Sequence, residues 1–315
     1  MRGTIAITDK GWYERLRVIP QLEEANFWKP SAARAFRAAE FSPFFFKLHA
    51  PDNAICGFAY FARYSALPDW LAWQAFGVTN GVNSFEELRD RIKRIRDRIL
   101  FKGDPNTAEI GCILVVQPTF FSPDDWVAPP ADWPAPTQSY KHYDLTAGEG
   151  KRVWETCLDR VRLGGLNNIE GLRVAEAPAA PADRFGAPQV VRPRLGQGTF
   201  RVVVTDAYER ACAITGEHSL PALEAAHIKP YAQDGPHLVQ NGLLLRADFH
   251  RLFEIGYLTI SPDLKLEVGQ RLKHDFENGK SYYPFHGQPI RLPTTPGHQP
   301  SHDFLAWHRE NRFIG

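Results

Sequence analysis

The chain has 315 residues, 43% of them hydrophobic and 12% aromatic, and a formal net charge of +1 at pH 7. That length suits two folded cores better than one, and the near-neutral charge excludes a protein that coats nucleic acid by general basicity, leaving local patches to make any such contact. The four cysteines (Cys56, Cys112, Cys157, Cys212) form no CxxC pair, which excludes a disulfide framework and a cysteine zinc site and fits a reducing, cytoplasmic setting.

In chain order, Ser31–Phe41 reads as helical. Phe44–His49 and Ala54–Tyr60 are apolar and β-prone around the turn signal Pro51-Asp52-Asn53. Pro68–Phe76 is a short aromatic segment. Over Ser84–Leu100 the pattern predicts a strong helix: Ser84 and Glu87 make a capping box, and Phe85, Leu88, Ile92, Ile95 and Ile99 share one face. On its polar face Arg89, Lys93 and Arg96 make a stripe that could track a DNA backbone, with Asp90 and Asp97 interspersed. Glu109–Gln117 reads as a buried strand, Ser122–Val127 as a helical turn and Gly148–Arg162 as a helix. Residues 175–199, rich in proline, glycine and alanine, cannot pack as a regular element. The expected organisation is a front domain over 1–170, a linker or arm over 171–199, and a back domain over 200–315. No signal-peptide layout and no run of membrane-spanning length is read.

In the back part Phe200–Ala213 reads as a helix, Ala222–Ile228 and Gly242–Leu245 as strands, Asp248–Ile255 as a helix stopped by Gly256, and 257–261 with 264–268 as a hairpin. A ββα order with a long loop between its strands follows. His227 ends the first strand, Asn241 closes the loop, and His250 lies in the helix. Phosphodiester hydrolysis needs an activated water and a cation to stabilise charge on the phosphate, and neutral imidazole is a natural base near pH 7. One histidine alone reads as packing or surface; this set, in this context, points to a one-metal phosphodiesterase.

The segments RLGQGTFR (194–201), AYERACAITGE (207–217), LEAAHIKP (223–230), NGLLLRADFHRLFE (241–254) and FLAWHRENRF (304–313) together resemble the HNH, or ββα-metal, endonucleases in their McrA-like branch. The resemblance implies His227 as general base, Asn241 as its positioning residue and His250 as a ligand of a divalent metal such as Mg²⁺ or Mn²⁺. Lys229 and Arg251 become candidate phosphate contacts. Two departures stand out. The family's acidic residue before the base is Ala226 here, which makes Glu224 the substitute candidate ligand, with Asp248 a rival that reads better as a helix N-cap. The zinc-binding cysteine pairs of many relatives are reduced to Cys212, so no structural zinc is expected and Cys212 reads as a core residue. His218, His237, His274, His286, His298, His302 and His308 are assigned no catalytic part; Trp307 and His308 are expected to pack the C-terminal tail.

The front part, with NFWKPS, then FFFKLHAPDNAICGFAYFARYSALPDWLAWQAFG, the capped helix and EIGCILVVQPTFF, looks like the PUA superfamily, especially its EVE-type members. The fold class expected for the whole is therefore α+β: a small β-barrel with helices, followed by a ββα-metal domain. Such a front domain implies a modified base flipped from duplex DNA between aromatic faces, with Trp28, Tyr60, Trp70 and Trp73 as pocket candidates. Double-stranded DNA is the expected partner, and because one ββα site cuts one strand, a homodimer is expected. A nuclease with another trigger, and a non-catalytic DNA-binding module with a decayed metal site, are the alternatives.

Overall fold

The computed structural model describes residues 1–99, 101–103, 109–133, 139–163 and 195–315. The chain divides into two compact units, Met1–Arg194 and Leu195–Gly315. Most of the expected linker lies outside the described residues. Among the described residues no helix is long and apolar enough to cross a membrane.

The first unit is α+β. Its strands are β1 (Arg2–Thr8), β2 (Glu24–Lys29), β3 (Pro43–Leu48), β4 (Ile55–Leu67), β5 (Ile110–Phe120) and β6 (Tyr140–Asp144); its helices are α1 (Lys10–Leu16), α2 (Asp69–Phe76), α3 (Phe85–Arg98) and α4 (Gly148–Leu163). The strands form one six-stranded sheet in the order β2-β5-β4-β3-β1-β6, antiparallel except for β1 with β3. Among the described residues β2 and β6 are the two ends of this ladder. Both faces are covered. Successive side chains of a strand point to opposite faces, so Phe44 and Phe46 pack with Trp12, Tyr13 and Leu16 of α1 while Phe45 packs with Val153, Cys157 and Val161 of α4. This accounts for PFFFKL being buried at every position.

The helix expected over 31–41 is absent. Its apolar residues are used singly: Phe36 is buried against Phe44 and Phe61, with ring centroids 5.7 and 5.0 Å apart. Phe41 takes φ 60°, incompatible with a helix, and donates its N–H to the Phe61 carbonyl at 2.6 Å. The aromatic segment after Pro68 is α2. The capped helix is α3 as expected, with Ser84 Oγ accepting from the Glu87 N–H and the Glu87 carboxylate accepting from the Asn83 N–H at 2.8 Å.

The second unit contains α5 (Gln197–Ala207), β7 (Leu223–His227), β8 (Gly242–Arg246), α6 (Ala247–Ile255), β9 (Leu258–Ile260), β10 (Leu266–Val268), α7 (Arg271–Phe276) and α8 (His302–Asn311). α5 begins inside the segment read as linker and stops six residues short of the expected Ala213. Glu209 and Arg210 adopt φ 54° and 60°, which break the helix and turn the chain so that the Ala213 N–H reaches the Leu244 carbonyl at 2.7 Å. Cys212 is fully buried beside this turn, as expected of a core residue, and its Sγ accepts from the Arg246 N–H at 3.3 Å. β7 and β8 pair antiparallel, α6 follows, and Gly256 ends it at φ 101°. Phe200, Leu243–Leu245, Phe249 and Phe253 fill the core between α5, the hairpin and α6. His308 of α8 is buried, stacked on Phe253 at 3.7 Å, with Nδ1 3.0 Å from Thr259 Oγ1 and Nε2 3.0 Å from the Phe253 carbonyl.

Candidate active site

His227 is the last residue of β7, opposite Gly242 on β8. Its ring lies flat on Phe200 of α5, centroids 3.9 Å apart at 12°. A Cβ on Gly242 would come within 2.4 Å of Val204 Cγ2, so the missing side chain is what lets α5 approach closely enough for that stack. Asn241 is fully buried. Its Oδ1 accepts from the Lys229 N–H at 2.8 Å, and its Nδ2 donates to the carbonyls of Lys229 and Pro236, both at 2.9 Å. One side chain therefore ties both arms of the loop between the strands, the bridging geometry expected from the sequence.

The Pro236 end of that clamp carries a residue that sequence reasoning set aside. His237 Nδ1 lies 2.9 Å from His227 Nε2, and its other face is covered by Tyr231, rings 4.5 Å apart and nearly parallel at 7°. A loop histidine has no periodicity to flag it; the signal available was its place shortly before Asn241. Burial, and then the neighbouring His237 and His250, press the His227 pKa down to about 4. The ring is neutral near pH 7 and keeps a lone pair for a proton.

Glu224, three residues before His227 on β7, reaches α6, where its Oε2 is 2.6 Å from His250 Nδ1. A carboxylate oxygen and an imidazole nitrogen side by side and partly exposed are donor types that divalent cations accept, with water and phosphate completing the shell. The pair fits a catalytic metal in donor chemistry; among the described residues no cluster of three or more His, Cys, Asp or Glu adds to it. Arg201 of α5, also overlooked, is close enough for its charge to act on Glu224 and is held below the usual arginine range by burial. Ala226 is buried in the core, leaving no room there for an acidic ligand. Asp248 is not the N-cap: that position is Arg246, whose guanidinium makes paired 2.7 Å bonds to the Asp248 carboxylate and holds its pKa below the usual range. Of the two candidate phosphate contacts, Lys229 Nζ lies over the Trp307 ring at 5.6 Å, and exposed Arg251 pairs with Glu254 at 3.0 Å.

In the first unit the four aromatic candidates do not converge. Trp28, whose Nε1 donates to the Asn80 carbonyl at 3.0 Å, lines a cleft of about 820 Å³. Tyr60 packs beside Phe58 in the core facing α4, and Trp70 and Trp73 lie half-buried on α2. The cleft takes in residues of both sheet edges, β2 and β6, and of α3, and is strongly basic: Lys29, Arg34, Arg91, Arg94 and Arg98 line it against the acids Asp9 and Glu87. Both acids are already engaged by Arg91, at 3.6 and 3.0 Å. The basic face of α3 is therefore not the expected stripe. Arg96 is buried, donating to the Pro30 carbonyl at 2.9 Å with its guanidinium over Phe101, and Arg89 pairs with Asp69 at 3.4 Å.

Residues 212–261 match the family model described as HNH endonuclease, the segment that holds Glu224, His227, His237, Asn241 and His250. The chain carries an HNH endonuclease domain. A solved structure described as the modification-dependent TagI restriction endonuclease is similar at 25% identity over 37% of this chain and 38% of its own, with a TM-score of 0.29, so this chain spans well under half of that protein. An ASCH protein from Zymomonas mobilis is similar at 13% identity over 50% of this chain and 94% of its own, with a TM-score of 0.32. No curated protein matches the chain.

Proposed function

We propose that this protein is a metal-dependent DNA endonuclease of restriction type that acts in the cytoplasm, cutting duplex DNA in which its N-terminal domain reads a modified base flipped out of the helix. On this reading recognition lies in 1–170, a connecting arm in 171–199 and cleavage in 200–315. The observation that carries the reading is the joint arrangement of a neutral, stacked His227, the Asn241 clamp on its loop, and the Glu224–His250 pair, all inside the matched HNH segment.

His227 takes a proton from the attacking water as the phosphodiester bond is broken. Asn241 holds the loop so that this ring keeps its position through turnover. Glu224 and His250 would hold a divalent ion such as Mg²⁺ or Mn²⁺, which when bound stabilises negative charge on the phosphate and leaving oxygen. Lys229 and Arg251 contact phosphates on either side. Recognition uses the basic cleft, where Trp28 offers an aromatic wall and the α3 arginines meet the backbone phosphates flanking an extruded nucleotide. Cutting both strands takes two sites, hence a homodimer on the DNA.

The test is a cleavage panel with Mg²⁺ or Mn²⁺ on unmodified DNA and on DNA carrying 5-methylcytosine, 5-hydroxymethylcytosine, glucosylated cytosine, 6-methyladenine or phosphorothioate, with His227→Ala alongside. Cleavage confined to a modified substrate and lost in His227→Ala supports the proposal. Equal cleavage of all substrates removes modification dependence, and no cleavage of any of them removes the nuclease activity itself.

A further inference from the structure

We infer that His237 is a positioning residue for the base: its Nδ1 accepts the Nε2–H of His227 and so fixes that ring in the tautomer whose Nδ1 lone pair is free for the water. The inference rests on the reading of His227 as base and assigns a role to a residue that the HNH pattern does not include.

His227 Nε2 and His237 Nδ1 are 2.9 Å apart. Two neutral imidazoles at that distance must share one proton, and it belongs to one ring or the other. If His237 donated, His227 would carry its own proton on Nδ1 and have no lone pair left for a water. If His227 donates from Nε2, its Nδ1 stays free, and among the described residues no hydrogen-bond partner competes for that atom. A base requires the second arrangement.

Three further contacts make the arrangement a built one. Phe200 stacks on His227 and Tyr231 on His237, so neither ring can turn out of the shared hydrogen bond without leaving an aromatic face. The two histidines sit just outside the two arms that Asn241 ties together, at Lys229 and Pro236, so the same buried amide sets the distance between them. Gly235 closes the loop: a Cβ there would come within 1.9 Å of the Lys229 carbonyl oxygen, so this tight path past the clamp needs glycine. When His227 gains the water's proton on Nδ1, its Nε2–H becomes a charged donor to His237, and hydrogen bonds strengthen when the donor is ionised. His237 thus helps the charged ring more than the neutral one, as rate enhancement requires.

The test uses the full chain with two substitutions that separate the parts of His237. His237→Phe keeps a ring against Tyr231 and removes the acceptor; His237→Asn loses the ring and returns an acceptor near the place of Nδ1. Single-turnover cleavage with Mn²⁺ of a DNA that the wild type cuts is compared with long-range ¹H–¹⁵N spectra of selectively labelled histidine, recorded without DNA. Expected are one Nε2–H tautomer for His227 in wild type and His237→Asn, and a tautomer mixture in His237→Phe. The cleavage rate constant of His237→Phe falls by about 10–100-fold, the range known for groups that orient a metal-ligating histidine, with DNA affinity unchanged, while His237→Asn recovers most of it. An Nδ1–H tautomer in the wild type overturns the inference, as does His237→Phe cutting at the wild-type rate, or Asn and Phe variants equally impaired. His227→Ala is run in parallel: if it still cuts, the reading of His227 as base has failed, an outcome separate from the tautomer result.

Discussion

Glu224 and His250 meet at 2.6 Å across the β7–α6 junction although 26 positions separate them in the chain. The contact joins a strand carboxylate to a helix imidazole, and on the proposed reading it supplies the acidic donor that Ala226 cannot. Glu224→Ala is expected to raise the Mn²⁺ concentration needed for half-maximal cleavage by at least about 10-fold, since even groups that only orient a metal ligand have effects of that order. The pair is partly exposed, so its loss should change folding stability by no more than about 1 kcal/mol. A metal titration of cleavage beside a urea melt checks both halves. A large loss of stability with unchanged metal dependence would make the pair structural.

Asn241 is a different case because it is fully buried and makes three hydrogen bonds. Asn241→Ala strands the Lys229 N–H and two carbonyls. Each buried group left without a partner costs about 1–3 kcal/mol, so a loss of about 3 kcal/mol is expected together with most of the cleavage activity. Asn241→Asp should be no better, since it keeps the acceptor toward Lys229 but turns a carboxylate toward the carbonyls of Lys229 and Pro236. Thermal melts of the two variants decide the matter.

The pH behaviour follows from two buried histidines. His227 and His308 both have pKa values pressed down to about 4, each chiefly by burial, against about 6.5 for the unfolded chain. Between those values the unfolded state binds more protons than the folded one, so stability is fully present above pH 6.5 and is lost as pH falls toward 4. The loss is bounded by about 1.4 kcal/mol per pH unit for each group. Urea melts at pH 7.0, 5.5 and 4.5 should show the slope, and His308→Gln should remove part of it without touching the site. In the cleavage profile the acid limb due to His227 should lie well below pH 6.5; a limb centred at 6.5 would mean that the base is an unperturbed imidazole.

How much of this was legible beforehand depends on whether a signal was local. β7, β8, α6 and the capped α3 announce themselves by apolar runs, a capping serine and a stop glycine, with His227 and Asn241 at element ends and His250 inside α6. His237 sits in a loop, where only the folded path brings it to His227. β1, α1, β2 and β6 went unread because short elements in a mixed sheet lack a sustained period. On α3 the error was geometric. Nothing in the helical pattern says that Arg96 will be drawn onto Pro30 and Phe101, and the arginines of α3 that line the cleft are 91, 94 and 98. The segment 31–41 failed for a similar reason, because Phe36 was claimed by the sheet.

The cleft makes a prediction about DNA affinity. Arg94→Glu and Arg98→Glu are expected to weaken binding of the preferred duplex and to reduce the slope of log affinity against log salt by about 1 for each phosphate no longer neutralised. Arg89→Glu, outside the cleft and already facing Asp69, should leave the slope near its wild-type value. Fluorescence anisotropy at a series of salt concentrations, with Mg²⁺ omitted to prevent cleavage, is the measurement. Equal slopes in all three variants would take the cleft out of DNA binding.

The buried guanidinium of Arg96 has a last consequence. It pins one end of α3 to the chain leaving β2, where Trp28 and Lys29 stand, so the helical arginines and the aromatic wall belong to one stiff frame. Cations on such a frame need not be gathered when a polyanion arrives. Less freedom is surrendered on association than by the same residues on a loose arm, and a chain with almost no overall charge can concentrate its attraction on one slot.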